Sequence, residues 1–377
     1  MIPYGKQFIE EDDIAAVVEV LRSDWLTTGP KVEEFERAFA DFVGAKYAVA
    51  VNSGTAALHA AMFALGIGPG DEVIVPTMTF AATANCVVFQ GGTPIFADVD
   101  PETLLIDPFS VADRISAKTR AIIAVDYAGQ PCDYDTLEVV AGEHNLCLVA
   151  DACHSLGGRY KERPVGSLAF LNAFSFHPVK HITTGEGGMI ATDDPNLAER
   201  MRLFRNHGIT TDHRQRENEG SWFYEMVELG YNYRITDFQC ALGVSQLKKL
   251  PGWIVRRQEI VSRYDEAFRG LPRVKPLSVR NDVSHAYHLY VVRLDLNGTC
   301  ADRGMVFHSL REAGIGVNVH YIPVHLHPFY RNRFATHAGL CPVAEKAYEQ
   351  IISIPLYPLL KRTEQDYIIE TMRNILQ

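Results

Sequence analysis

The chain has 377 residues, 47% of them apolar and 22% charged; this balance excludes disordered and collagen-like classes, and the length predicts two domains because one core seldom grows so far. A formal net charge of -10 argues against nucleic acid as a partner. The opening MIPYGKQFIEEDD lacks the basic and apolar regions of a leader, and no run reaches the ~18 apolar residues of a spanning helix, so a cytoplasmic enzyme or binding protein without a membrane partner is expected.

The first predicted element is a helix over DDIAAVVEVLRS, with Ile14, Val17, Val18 and Leu21 on one face. DWLTTG reads as a loop, and PKVEEFERAF as a second helix opened by a proline suited to a first turn. From residue 47, short β-rich runs alternate with helical stretches: YAVAV, EVIV, PIFADV, AIIAVDY, CLVAD and AFSF are the strands, while TAALHAAMFALG and DYDTLEVVAGEHN are helical. Runs apolar at nearly every position predict a mostly parallel sheet covered on both faces, an α/β domain. After residue 250 come a long helical stretch, WIVRRQEIVSRYDEAFRG, a strand HLYVVRLDL, a helix RGMVFHSLREAG, a strand GVNVH and a closing helix from about Glu364. These predict a smaller α+β domain, giving boundaries of 1–250, including the N-terminal helical segment, and 251–377. The cysteines, Cys86, Cys132, Cys147, Cys153, Cys240, Cys300 and Cys341, are never spaced C-x-x-C and read as reduced, mostly buried thiols.

Three stretches carry chemistry. NSGTAAL, residues 52 to 58, follows a strand and starts a helix; it is either a plain N-cap or an anion site, since free amides and the helix dipole favour phosphate. The glycine-rich GIGPGD at 66 to 71 precedes a strand, the wrong context for a dinucleotide fingerprint. CLVAD ends on Asp151, at the carboxyl end of a parallel strand where ligands collect; it either caps the next turn or, as a buried carboxylate, wants a cation such as a protonated ring nitrogen. FSFHPVKHITTGEGG sets Lys180 between an apolar strand and a tight glycine-rich turn. A loop lysine is ordinarily a solvated charge, yet a desolvated one condenses readily with an aldehyde. Helix start, aspartate and lysine together match the phosphate, ring nitrogen and aldehyde of pyridoxal phosphate.

Six ordered stretches, DWLTTGPKVEEFE, NSGTAALHAA, GDEVIVPTMTFAATAN, ADACHSLGG, SFHPVKHITTGEGG and LGYNYRITDFQCALGVSQL, resemble the DegT/DnrJ/StrS family of pyridoxal-phosphate-dependent sugar aminotransferases, over essentially the whole chain. The resemblance implies an aspartate-aminotransferase-like fold (fold type I) and a homodimer with shared active sites. By resemblance, Lys180 is the lysine that holds the cofactor and moves the proton, and Asp151 is the partner of the pyridine nitrogen. Gly54, Thr55 and Ser175 resemble the phosphate cradle, completed by Asn232 of the neighbouring subunit. Phe80 resembles the aromatic stacked on the ring, and His154 the residue near its phenolic oxygen. Some members carry His in the lysine slot and catalyse dehydration instead; here His181 only adjoins Lys180, which favours transamination. Ala150 stands where many relatives have Glu.

The combination of VDYAGQPCD, FSFHPVKHITTGEGG and LFRNHGIT resembles the branch that makes the 4-amino precursor of pseudaminic acid. That branch implies a UDP-linked 4-keto-6-deoxy-N-acetylhexosamine as substrate, in the L-altrosamine form, and L-glutamate as amino donor. GDP-perosamine-, bacillosamine- and viosamine-type enzymes are the alternatives, and a non-catalytic sensor of the cofactor or a sugar nucleotide is the alternative of another class. The same carry-over makes Tyr4, Asp24, Trp25, Leu26 and Thr27, with His320, Tyr321, Ile322 and Pro323, the sugar-nucleotide wall. Arg234 faces a substrate anion across the dimer interface or forms a structural ion pair. His320, His325 and His327 lack zinc spacing, so no metal is expected.

Overall fold

The structure, a computed structural model, describes residues 1–211, 213–218, 220–298 and 301–376, so Cys300 lies outside the described residues. Its centre is a seven-stranded sheet of β1 (Tyr47–Val51), β2 (Glu72–Pro76), β3 (Thr93–Ala97), β4 (Thr119–Val125), β5 (Cys147–Asp151), β6 (Leu171–Ser175) and β7 (Gly188–Thr192), in the order β1-β7-β6-β5-β4-β2-β3. Neighbours from β6 to β3 run parallel, whereas β7 lies antiparallel between β1 and β6. The sheet is therefore mostly parallel, in an α/β chain, as the strand-helix alternation predicts. GMIAT, the sequence of β7, was not among the predicted strands. It is short and follows a glycine turn, and its place is set by pairing with β6 just before it and with β1, far away in sequence.

Two helices precede the sheet, α1 (Glu11–Leu21) and α2 (Pro30–Val43), and α3 (Gly54–Ala64) follows β1. Pro30 opens α2 and Gly44, in a left-handed conformation with φ of 73°, ends it. On α1 the outcome differs from the predicted face: Asp13 and Val20 are buried, whereas Ile14 and Leu21 are exposed at 47% and 55%. Polar contacts decide this. Asp13 accepts from Gln246 at 2.7 Å and from Lys249 at 2.9 Å, and so turns its own side of α1 towards the long helix Asp237–Phe268.

That 32-residue helix opens with a capping box between Thr236 and Gln239 and joins two apolar clusters. Residues from Cys240 to Ile254 pack into the cluster around the seven-stranded sheet; residues from Ile260 to Phe268 pack into a second cluster with Tyr290, Leu310, Ile352 and Met372. The second cluster is built on an antiparallel sheet of β8 (Val274–Pro276), β9 (Tyr290–Leu294) and β10 (Ile351–Ile354), flanked by helices Arg303–Glu312 and Arg362–Leu376. Ala286, Leu289, Val324 and Tyr330 belong to the first cluster. GVNVH does not form the predicted strand. Asn318 alone bridges Ser353, and its side-chain oxygen takes the next amide, that of Val319, at 2.8 Å, which ends the ladder and leaves residues 319 to 323 as a loop.

Among the described residues six cysteines are unbridged; Cys86, Cys132, Cys240 and Cys341 are buried, and Cys147 and Cys153 half-buried. No helix among them is long and apolar enough to cross a membrane.

Candidate active site

The carboxyl ends of β1, β5 and β6 open into a cavity of about 780 Å³. This is where an open α/β sheet leaves room for a ligand, because the connections diverge there. Gly54, Thr55, Phe80, Asp151, His154, Ser175 and Lys180 all line it, as do Tyr4, His320 and Tyr321 from the two ends of the chain.

At one side lies the start of α3. Ser53 caps it, its hydroxyl accepting from the Ala56 amide at 3.0 Å, and the following turn approaches the end of β6 closely. A Cβ on Gly54 would sit 2.7 Å from the Ser175 Cβ, so only glycine brings these backbones together. Gly54, Thr55 and Ser175 all line the cavity at this helix start, where the free amides of a first turn suit an anion.

Across the cavity, Asp151 is 6% exposed. Its Oδ2 accepts from the Thr83 hydroxyl at 2.6 Å and its Oδ1 from the Cys153 amide at 3.3 Å. Because Thr83 gives its proton to the carboxylate, the Thr79 hydroxyl at 2.7 Å donates to Thr83 in turn. These partners are neutral, and among the described residues no ion pair involves Asp151. A buried carboxylate that lines a cavity with only neutral partners fits a cationic ligand group.

Lys180 reaches the same cavity from the turn after β6, where its amide bonds the His177 carbonyl at 2.9 Å. Burial lowers the pKa of its amine, against the opposing pull of the Cys153 thiol and Asp151. Burial pushes the Cys153 thiol itself well above its usual range. His154, 5% exposed, lies with Nε2 3.1 Å from the Tyr321 hydroxyl, and its Nδ1 is buried without a protein partner. Burial, then the nearby Lys180, holds the His154 ring neutral. His320 is engaged at both nitrogens, with the Ser353 hydroxyl at 2.9 Å and the Asn318 amide at 3.3 Å, and burial lowers its pKa to about 3. Phe80 is 59% exposed, with its ring 6.0 Å from that of Tyr321.

The remaining predicted residues lie outside this cavity. Asp24, Leu26 and Thr27 are exposed; the Leu26 carbonyl accepts from Asp237, Thr27 bridges Thr236, and Trp25 lies under the Arg214 guanidinium at 5.8 Å. Asn232 is exposed and bridges Asn206, while Arg234 donates to the Asn206 side chain at 2.7 Å beside a separate cavity of about 110 Å³. Ile322 is 43% exposed, and Pro323 is buried before a short turn at Val324–Leu326. His325 contacts the Thr77 hydroxyl and Glu345, at 2.5 and 3.0 Å, and is likewise absent from the cavity. Sequence reasoning missed Thr79 and Thr83, whose spacing of four on MTFAATAN was the available signal. It also missed His288 and Asn318, which line the cavity and carry no local signal.

A helix start suited to an anion, a buried carboxylate and a half-buried lysine around one cavity fit pyridoxal phosphate. The chain belongs to the DegT/DnrJ/EryC1/StrS aminotransferase family, whose sequence pattern matches residues 7–373. It is 43% identical to the spore coat polysaccharide biosynthesis protein SpsC of Bacillus subtilis, across 100% of this chain and 97% of that protein. Among solved structures it matches the putative sugar aminotransferase Spr1654 of Streptococcus pneumoniae in its PMP-form, at a TM-score of 0.94 and 36% identity over 100% and 99% of the two chains. It also matches Helicobacter pylori PseC, described as an aminotransferase involved in the biosynthesis of pseudoaminic acid, at a TM-score of 0.92 and 32% identity over 100% and 99%. Spr1654 is known in a PLP-form as well. The protein is a pyridoxal-phosphate-dependent sugar aminotransferase.

Proposed function

We propose that this enzyme moves the amino group of L-glutamate to C4 of a nucleotide-linked 4-keto-6-deoxy sugar, UDP-4-keto-6-deoxy-N-acetyl-L-altrosamine, in the cytoplasm and on the way to pseudaminic acid for a surface polysaccharide or flagellin. The observation that carries the reading is the convergence of Lys180, Asp151 and the α3 start on one cavity, in a chain that aligns with PseC from end to end. When bound, pyridoxal phosphate supplies an aldehyde that condenses with amines and a ring that takes up the electron pair released at the donor's α-carbon. The first turn of α3, with Thr55 and Ser175, holds the phosphate. Asp151, oriented by Thr83, keeps a proton on the ring nitrogen. Lys180 would take the proton from the glutamate α-carbon and deliver it to the carbon on the far side of the transferring nitrogen, a 1,3 shift, and would run the same transfer in reverse for the ketosugar. A lowered pKa suits it to that task, since a general base works best near the ambient pH.

The active form in this reading is a homodimer. Trp222, Phe223, Met226, Val227 and Leu229 are exposed at 85%, 55%, 65%, 59% and 72%, an apolar run that a second copy would cover. It adjoins Asn232 and Arg234, the residues expected to serve the neighbouring subunit's site. A second reading, amination of another 4-keto-6-deoxy sugar, draws on the 43% identity to SpsC, a protein named for a different polysaccharide. Incubating the holoenzyme and glutamate with UDP-, GDP- and dTDP-linked 4-keto-6-deoxy sugars, and following 2-oxoglutarate, tests both. Turnover confined to GDP or dTDP sugars overturns the first.

A further inference from the structure

Behind the lysine turn lies a second cavity, with about 10 Å³ of room for the centre of a water molecule, lined by Lys6, Gln246, Trp253, Arg257, His181 and Lys180 among others. Lys180 thus borders both this cavity and the main cleft. Two of the lining residues carry a buried polar atom with no protein partner, Nε of Arg257 and Nδ1 of His181. The two side chains are only 2% and 4% exposed.

The chemistry of each atom is fixed by what the rest of its side chain does. Arg257 donates through Nη1 to the carbonyls of Tyr287 and Leu356, both at 3.1 Å, and of His288 at 3.4 Å, and a guanidinium has no acceptor, so its Nε–H needs an oxygen or an anion. His181 places Nε2 3.0 Å from the Ala286 carbonyl, which can only accept, so Nε2 carries the proton. Burial, then the nearby Arg257, lowers the pKa of His181 well below the usual value and keeps the ring neutral, which leaves Nδ1 a bare acceptor. Two residues that line this small cavity therefore carry one unsatisfied donor and one unsatisfied acceptor.

We propose that this cavity is the site of a single resident water that accepts from Arg257 Nε–H and donates to His181 Nδ1, tying the turn that carries Lys180 to the long helix Asp237–Phe268. Water fits both atoms and the volume. A halide would accept from Arg257 but has no proton for Nδ1, and the cavity is too small for phosphate or sulfate. Arg257 and His181 are then positioning residues for Lys180, acting through the water and the backbone of the turn.

The test uses crystals of the wild-type holoenzyme at high resolution, with a second set soaked in sodium bromide. A water-sized density peak within hydrogen-bond distance of both atoms, without an anomalous bromine signal, is expected. A bromine peak there, or no density, overturns the proposal. His181→Gln retains an amide donor for Ala286 and an oxygen for the water, whereas His181→Leu retains neither. The Gln variant should keep the water and kcat within about twofold, and the Leu variant should lose the water and about tenfold in kcat with KM for glutamate unchanged, the signature of a misplaced reacting group. Equal kcat losses in the two variants, or an unimpaired Leu variant, would contradict the positioning role.

Discussion

Thr83 and Asp151, 68 residues apart in sequence, meet in a 2.6 Å hydrogen bond in which the threonine hydroxyl donates to the buried carboxylate. The bond fixes the orientation of the group read as the partner of the cofactor's ring nitrogen, and Thr79 extends it by a second hydroxyl. Thr83→Val removes the donor at nearly constant volume. A hydrogen bond to a charged group contributes about 1.5–3 kcal/mol, so the affinity of the folded apoprotein for pyridoxal phosphate should fall about tenfold or more, measured by equilibrium dialysis. Unchanged affinity would show that Asp151 needs no such support.

Lys180→Met should fold, bind the cofactor only non-covalently and lose turnover. It also gives a pH test. Burial lowers the folded-state pKa of Lys180 below 10.5, so the unfolded chain binds a proton that the folded chain resists. The resulting penalty is full below the folded pKa, fades as pH rises between the folded and unfolded values, and is gone above about 10.5. The cofactor-free wild type should therefore gain stability relative to Lys180→Met as pH rises through that window in urea titrations. A difference that stays constant with pH contradicts a desolvated lysine.

Gly54→Ala tests the cradle at the start of α3. The new methyl would lie 2.7 Å from the Ser175 Cβ and 3.3 Å from its Cα, so the first turn must move away from β6. Cofactor affinity should drop about tenfold with the far-ultraviolet circular dichroism unchanged, because the amides lose their common focus on the phosphate. Wild-type affinity in this variant would place the phosphate elsewhere.

Glu36→Ala tests the scaffold under β1. Glu36, 8% exposed, accepts from the Ala50 amide at 3.0 Å and pairs with Arg205 and, at 3.6 Å, with Arg202. Truncation leaves two guanidinium groups around an empty site, for an expected loss of about 3 kcal/mol in urea unfolding. A loss below about 1 kcal/mol would mean that solvent takes over the pairing.

What the sequence determined by itself was local. Strand-helix alternation, the N-cap at Ser53, the aspartate closing CLVAD and the lysine ahead of TTGEGG are each legible within a few residues, because backbone preference and side-chain chemistry act over that range. Tertiary structure decided the rest. GMIAT became β7 only through antiparallel pairing with β1 and β6, and GVNVH lost its strand to one Asn318 side chain. Salt bridges to the long helix, formed across more than two hundred residues, turned Ile14 and Leu21 outward. The site itself needed residues 4, 54, 151, 180 and 320 to meet at one cavity, and the placement of Thr83 beneath Asp151 and of His181 and Arg257 behind Lys180 has no trace in any single motif. Hydrogen bonding and burial between distant segments depend on how the chain closes on itself, and short-range spacing does not encode that closure.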